Sequence, residues 1–319
     1  MTMTDSRIYI PGEDTYKKAA NMLARGELVS FPTETVYGLG ADATNSIAVA
    51  GIYKAKNRPD FNPLIVHIYD AATADKYVKM NDTAKRLAKH FWPGPFTMVL
   101  PKKEPGNLSD LVSAGLDTVA IRVPEHDVAR SLLKHFGRPV AAPSANISGR
   151  ISPTTAIHVD GEFGDELQMI IDGGPCNKGI ESTIVKVTDD NIILLRPGNI
   201  IIDEIEAATG MSVILGDKEE KPSSPGQLES HYAPNAKMRL NVTSPEKTEC
   251  LLAFGKAPNH PGLNLSPSGN LTEAATNLFS MLRELDSAGY QTIAVSPIPH
   301  AGLGLAINDR LKRAAAPKD

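Results

Sequence analysis

Between Gly216 and Asn235 the chain reads GDKEEKPSSPGQLESHYAPN. The stretch is polar and rich in Pro, Ser and Gly, with no apolar period to seat it on a helix face or in a strand. It divides what the rest can fold into. A long segment before it and a short one after it must each bury a core, and 319 residues suffice for about two domains. The expected organisation is a first unit over residues 1–215, a linker over 216–236 and a smaller unit over 237–319.

The first unit mixes helix and strand signals. Helical spacing is read over Asp14–Arg25 with Gly26 as its stop, Asn45–Lys54, Asp82–Phe91 ahead of Pro93, and Val128–Phe136. Apolar β-rich runs occur at Leu28–Phe31, Leu64–Ile68, Phe96–Leu100, Val119–Val123, Met169–Ile171, Ile184–Val187 and Ile192–Leu195. Several follow one another through short turns such as Asp189-Asp190-Asn191, which predicts a mixed sheet with flanking helices and not a pure βαβ array. Beyond the linker, strands at Met238–Asn241, Cys250–Phe254 and Thr292–Val295 alternate with helices at Thr272–Ser287 and Leu303–Arg313. That is a small βαβ pattern.

A formal net charge of -4 argues against a protein held to nucleic acid by bulk positive charge. Cys176 and Cys250 form no CxxC pair, so neither a zinc site nor a disulfide framework is expected. The N-terminal MTMTDSRIYI lacks an apolar signal core and no apolar run is long enough to span a bilayer, so no membrane partner and a cytoplasmic location are expected.

The stretch SFPTETVYGLGADA, Ser30 to Ala43, sets three polar residues where a hydrophobic strand runs out and follows them with Gly38 and Gly40, as a close approach of backbone to a ligand would require. KAKNRPDFNPLIVHI, Lys54 to Ile68, holds three cations, two Asx-Pro turns and His67 on a strand. In TVAIRVP an apolar strand carries Arg122. VAAPSANISGRISPTTA, GIESTIV and LLRPGN bring Ser144, Ser152, Ser182 and Arg196. Each has an ordinary structural reading: Lys54 and Lys56 as cations at a helix C-terminus, His67 as a hydrogen-bonded core residue, Ser152-Pro153 as a helix start. Recurrence favours chemistry. Arg58, Arg122 and Arg196 each lie at the end of, or within, an apolar strand, where a free guanidinium is costly. Guanidinium groups with small hydroxyls and exposed amides suit phosphate oxygens. No GxxxxGK[ST], GxGxxG, HExxH or GxSxG pattern is present, so the residues themselves indicate a polyphosphate or nucleotide site of an uncommon kind.

FPTETVYGLGADA, KNRPDFNPLIVHI, FWPGPFT, VAIRVP, PVAAPSANISGR and GIESTIVKV…LLRPG together resemble the threonylcarbamoyl-AMP synthases, which have the YrdC-like fold; SPGQLESHYAPN resembles the connector of that family's two-domain members. The resemblance implies an α/β YrdC-like twisted mixed sheet with a concave site, plus a small Rossmann-like C-terminal domain. It implies condensation of L-threonine, bicarbonate or CO2 and ATP into threonylcarbamoyl-AMP and pyrophosphate. A downstream threonylcarbamoyl-transferase complex then modifies adenosine 37 of tRNA. Mg²⁺ is expected on the ATP phosphates, without protein side chains as ligands. Carried over residue by residue, Lys56 and Arg58 act catalytically on the phosphates; Thr35, His67, Arg122, Ala142 and Ser182 bind L-threonine; and Arg58, Asn62, Thr118, Ser144, Ser152, Arg196 and Tyr232 bind ATP, with Tyr232 folding over it from the linker. Asn57 stands where the family more often has glycine between two cations, and asparagine tolerates the positive φ that such a loop demands. Two rival readings are a carbamoyl-transferring hydrogenase maturation factor, which carries additional zinc-finger cysteines, and a non-catalytic RNA-binding module.

Overall fold

A computed structural model describes residues 7–104, 107–216, 224, 226 and 230–317. In chain order the first unit comprises β1 (Ile8–Tyr9), α1 (Glu13–Ala24), β2 (Val29–Pro32), β3 (Tyr37–Asp42), α2 (Ser46–Lys56), β4 (Ile65–His67), α3 (Ala71–Ala74), α4 (Asp82–Phe91), β5 (Phe96–Pro101), β6 (Thr118–Arg122), α5 (Asp127–Phe136), β7 (Val140–Ala141), α6 (Ala156–Phe163), β8 (Ile170–Ile171), β9 (Thr183–Val187), β10 (Ile192–Arg196), α7 (Ile202–Thr209) and β11 (Val213–Leu215). The strands form one sheet in the order β1-β8-β2-β3-β7-β4-β6-β5-β9-β10-β11. Parallel pairs such as β4–β6 and β5–β9 alternate with antiparallel ones such as β2–β3 and β5–β6, so the expected mixed sheet is the observed one.

Helices cover the sheet because their apolar stripes match its faces. Leu87 and Ala88 of α4 pack with Val66, Met98, Ile121 and Val185. Leu132 and Leu133 of α5 pack with Leu23 of α1 and with Val29 and Phe31 of β2. Helix starts are set by side-chain caps: Asn45 accepts from the Ile47 and Ala48 amides, and Asn81 from that of Ala84. α2 ends at Asn57, which takes the left-handed conformation at φ 48° that its place between two cations suggested.

The second unit comprises β12 (Lys237–Arg239), β13 (Cys250–Ala253), β14 (Gly262–Asn264), α8 (Leu271–Ser287), β15 (Thr292–Val295) and α9 (Leu303–Ala314). Its sheet, β12-β15-β13-β14, is parallel throughout. Its core extends into the first unit: Val36, Ile151 and Ile180 pack in one cluster with Tyr232, Leu278 and Phe279. Of the linker, residues 217–223, 225 and 227–229 lie outside the described residues. No helix among the described residues is long and apolar enough to cross a membrane.

Two expectations change. Ser152-Pro153 does not start a helix; α6 begins four residues after Ser152, capped by the Thr155 side chain, because the Ser152 hydroxyl is committed to Glu181 at 2.6 Å. Gly40 is required by packing within the sheet and not by a ligand. A Cβ there would lie 2.7 Å from the Phe31 ring and 2.9 Å from Val140.

Candidate active site

The turn joining β2 to β3 accounts for the polar run at the strand end. The Thr33 hydroxyl donates to the Val36 carbonyl at 2.7 Å and accepts from the Thr35 and Val36 amides at 3.2 Å, closing the turn on itself. This leaves Thr35 and Glu34 to face β6. There the Arg122 guanidinium donates to Thr35 Oγ1 at 3.0 Å, to Glu34 Oε1 at 2.5 Å and to the Gly94 carbonyl at 3.1 Å. The second Glu34 oxygen accepts from the Glu125 amide at 3.2 Å. Arg122 and Glu34 are both nearly water-free, at 3% and 2% exposure. The pair is therefore stiff as well as charged.

His67 lines the same cavity from β4, in register with Arg122 on β6. Burial, and then the neighbouring Arg122 charge, push its imidazole down to about 3, so it is neutral at physiological pH. Arg58 does not lie at the end of an apolar strand, as expected, but just beyond the end of α2, where it donates to the Asn62 and Pro63 carbonyls at 3.1 and 2.8 Å. Burial lowers its guanidinium to about 10, which still leaves it charged. Arg196, at the end of β10, donates to the Ser182 carbonyl at 2.9 Å and to its hydroxyl at 3.1 Å. That hydroxyl also meets Thr97 at 2.8 Å.

Arg58, Arg122 and Arg196 converge on one cavity of about 50 Å³. Thr35, His67, Ala142, Ser144 and Ser182 share its lining. Gly38 lets the Ala142–Ser144 segment close on β3: a Cβ there would meet Ala142 Cβ at 3.3 Å. From the linker come Gly226, His231 and Tyr232. Tyr232 is 1% exposed at φ 62°, stacked on Phe279 with centroids 5.3 Å apart, and its hydroxyl has no hydrogen-bond partner among the described residues. Nine of the residues singled out from the sequence thus meet in one place, from positions 35 to 232.

Four do not line the cavity. Lys56 is 1% exposed and donates to the Ser144 carbonyl at 2.6 Å and to that of Asn146, so it braces the 144–146 turn from beneath. Burial, then the nearby Arg58 charge, push its ammonium well below the usual lysine range. Ser152 stands one contact behind the cavity, on Glu181. Asn62 is fully buried with both amide atoms unpartnered among the described residues. A buried amide in that state calls for a partner from outside the described residues. Thr118 opens the strand that Arg122 closes, on the same face and roughly 13 Å away. Sequence reasoning missed Glu34 and Glu181, although both lie inside quoted motifs; their signal was a carboxylate placed beside residues destined for burial, which requires a cationic partner.

A family model described as "Telomere recombination", covering Sua5, YciO and YrdC proteins, matches residues 21–198. Another, described as "Threonylcarbamoyl-AMP synthase, C-terminal domain", matches residues 200–316. α7 and β11 fall within the second match, yet β11 pairs with β10 as the last strand of the first sheet. The threonylcarbamoyl-AMP synthase of Bacillus subtilis is 42% identical, with 93% of this chain and 92% of that protein covered. That of Pyrococcus abyssi is 41% identical, with 93% of each covered. The crystal structure of P. abyssi Sua5 complexed with L-threonine superposes with a TM-score of 0.88, at 37% identity over 97% of this chain and 96% of that one. With both family models together spanning nearly the whole chain and enzymes of one activity aligned along its length, this chain belongs to the threonylcarbamoyl-AMP synthase family.

Proposed function

We propose that this chain condenses L-threonine, bicarbonate or CO2 and ATP into threonylcarbamoyl-AMP, releasing pyrophosphate. The observation that carries the reading is the convergence of three buried guanidinium groups with the Thr35, Ser144 and Ser182 hydroxyls on one cavity. A relative of this chain holds L-threonine. Arg122, already fixed by Glu34 and Thr35, takes the threonine carboxylate with its remaining N–H groups, and neutral His67 lies beside it. Arg58, Arg196 and Ser144 take the nucleotide, with Asn62 completing its hydrogen bonds there.

The threonine amine adds to CO2 and loses a proton, giving a carbamate. A carbamate oxygen attacks the α-phosphorus and pyrophosphate leaves. The protein supplies position and charge neutralisation and no covalent intermediate. Mg²⁺ arrives with ATP, on its phosphate oxygens, as part of the substrate. Lys56 acts by holding the 144–146 turn. Pockets for ligands of this size run to hundreds of Å³, so ATP enters only when His231 and Tyr232 withdraw, and their return shields a labile product from water. The product then passes to a transferase complex that modifies tRNA at adenosine 37.

The test is pyrophosphate release by the purified chain. It is expected only with ATP, L-threonine and bicarbonate all present. Release that ignores threonine refutes the proposal.

A further inference from the structure

One wall of the cavity is held from the second unit. Glu181, 6% exposed, lines the cavity beside Ser182. One of its oxygens accepts the Ser152 hydroxyl at 2.6 Å, and the other accepts Nε of Arg310 at 2.9 Å. Arg310 belongs to α9 and is completely buried. Its Nη1 donates to Asp309 at 2.8 Å, and its Nη2 has no hydrogen-bond partner among the described residues. Its guanidinium carbon stands 5.4 Å from the centroid of the Tyr232 ring. The same helix accepts the His231 amide at the Arg313 carbonyl, 3.2 Å away.

Resting on the function proposed above, we infer that Arg310 is a positioning residue for ATP, contributed by the smaller α/β unit, that holds Glu181 and Tyr232 in place where the nucleotide binds. A fully buried guanidinium is costly unless it is matched. Here it is matched by a carboxylate of the other unit, 129 residues away in sequence. Remove the cation and Glu181 keeps only Arg196 and the Ser152 hydroxyl against its burial. It then takes up a proton more readily, and the neutral carboxyl holds the Ser152 hydroxyl and the wall next to Arg196 less tightly. The other ionisable groups nearby are Asp309 on α9 and His231 and Tyr232 in the linker. His231 stays neutral through burial and the charges of Arg58, Lys56 and Arg196, which remain when Arg310 is lost. Threonine binding is a separate matter, since none of the Arg122 contacts touches Arg310.

The experiment compares the intact chain with Arg310→Met, Arg310→Lys and the double variant Glu181→Gln/Arg310→Met. Calorimetry at pH 6 and pH 8 follows binding of a non-hydrolysable ATP analogue and of L-threonine, and pyrophosphate release gives KM and kcat. Arg310→Met is expected to weaken the analogue at least tenfold at pH 6 and less at pH 8, with threonine affinity within twofold of the parent. Lysine restores most of the loss, and the double variant varies with pH no more than the parent does, because Glu181 is no longer there to titrate while Asp309 is common to both. Should Arg310→Met fail to fold, Arg310→Lys and the double variant carry the comparison. A loss shared equally by both ligands, the same at both pH values and not rescued by lysine, overturns the inference. Analogue binding is read without turnover. If the parent releases no pyrophosphate the proposed function fails, while the pH-dependent pattern still decides the role of Arg310.

Discussion

Arg122→Lys keeps the positive charge of the cavity and removes its planar fork. Arg122 makes three hydrogen bonds at once, to Gly94, Thr35 and Glu34, and its orientation follows from all three. An ammonium on a flexible stem keeps the Glu34 ion pair, the shortest of them, and abandons the other two. A carboxylate ligand then meets a point charge already occupied by Glu34. One lost charge-assisted hydrogen bond costs about 1.5–3 kcal/mol, which corresponds to roughly ten- to a hundredfold weaker L-threonine binding. Isothermal calorimetry with L-threonine, without ATP, reads this directly, and a thermal melt shows whether the fold is retained. Equal affinity in the parent and the variant means that Arg122 is a structural partner of Glu34 or serves the nucleotide, and the carboxylate role is refuted.

Arg58→Ala is expected to weaken ATP binding about ten- to a hundredfold while leaving threonine affinity intact; the reverse selectivity in calorimetry would place Arg58 at the amino acid. Gly40→Ala sets a methyl group against the fully buried Phe31 and Val140 side chains, so its urea-unfolding free energy should fall by about 1–3 kcal/mol; an unchanged midpoint would show that the sheet yields freely there. His67 is depressed in the folded chain from an ordinary value near 6.5, so the stability it confers is complete above that pH and is lost as pH falls towards 3. Each unit below 6.5 removes about 1.4 kcal/mol, and His67→Gln should flatten that slope in urea titrations at pH 6.5 and 5.5; parallel slopes for parent and variant would refute it.

What was legible in the sequence was whatever a single segment decides. Asp82–Phe91 was read residue for residue, because Leu87, Ala88 and Phe91 keep a helical spacing and Pro93 stops it. Asn57 stands where the resembling family more often has glycine, and its tolerance of positive φ lets it take the left-handed turn. β3 was not read as a strand, since Gly38 and Gly40 are poor strand formers and their reason lies in Ala142, Phe31 and Val140, which are distant in sequence. Lys56 shows the same limit. A cation in a phosphate-like motif gives no sign of whether its ammonium faces a ligand or the carbonyls of residues 144 and 146. Glu181 and Arg310 are each unremarkable in their own segments, and only the packing of α9 against the first unit makes them a pair.

The order of strands in the large sheet has a consequence for how the chain is made. β2 lies inside that sheet, with β3 along one side and β8 along the other. β3 is available a few residues after β2 leaves the ribosome, but the β8 partner of Ser30 is Ile170. At about 5–20 residues per second, the second edge of β2 stays unpaired for roughly seven to thirty seconds. An apolar strand with an open ladder is a template for another chain. β1 cannot cover it, because β1 too is joined to the sheet only through β8. The yield of native protein should thus depend on what shields one edge of residues 29–32 during synthesis, and growth at lower concentration of nascent chains should favour it more than any stabilisation of the finished sheet.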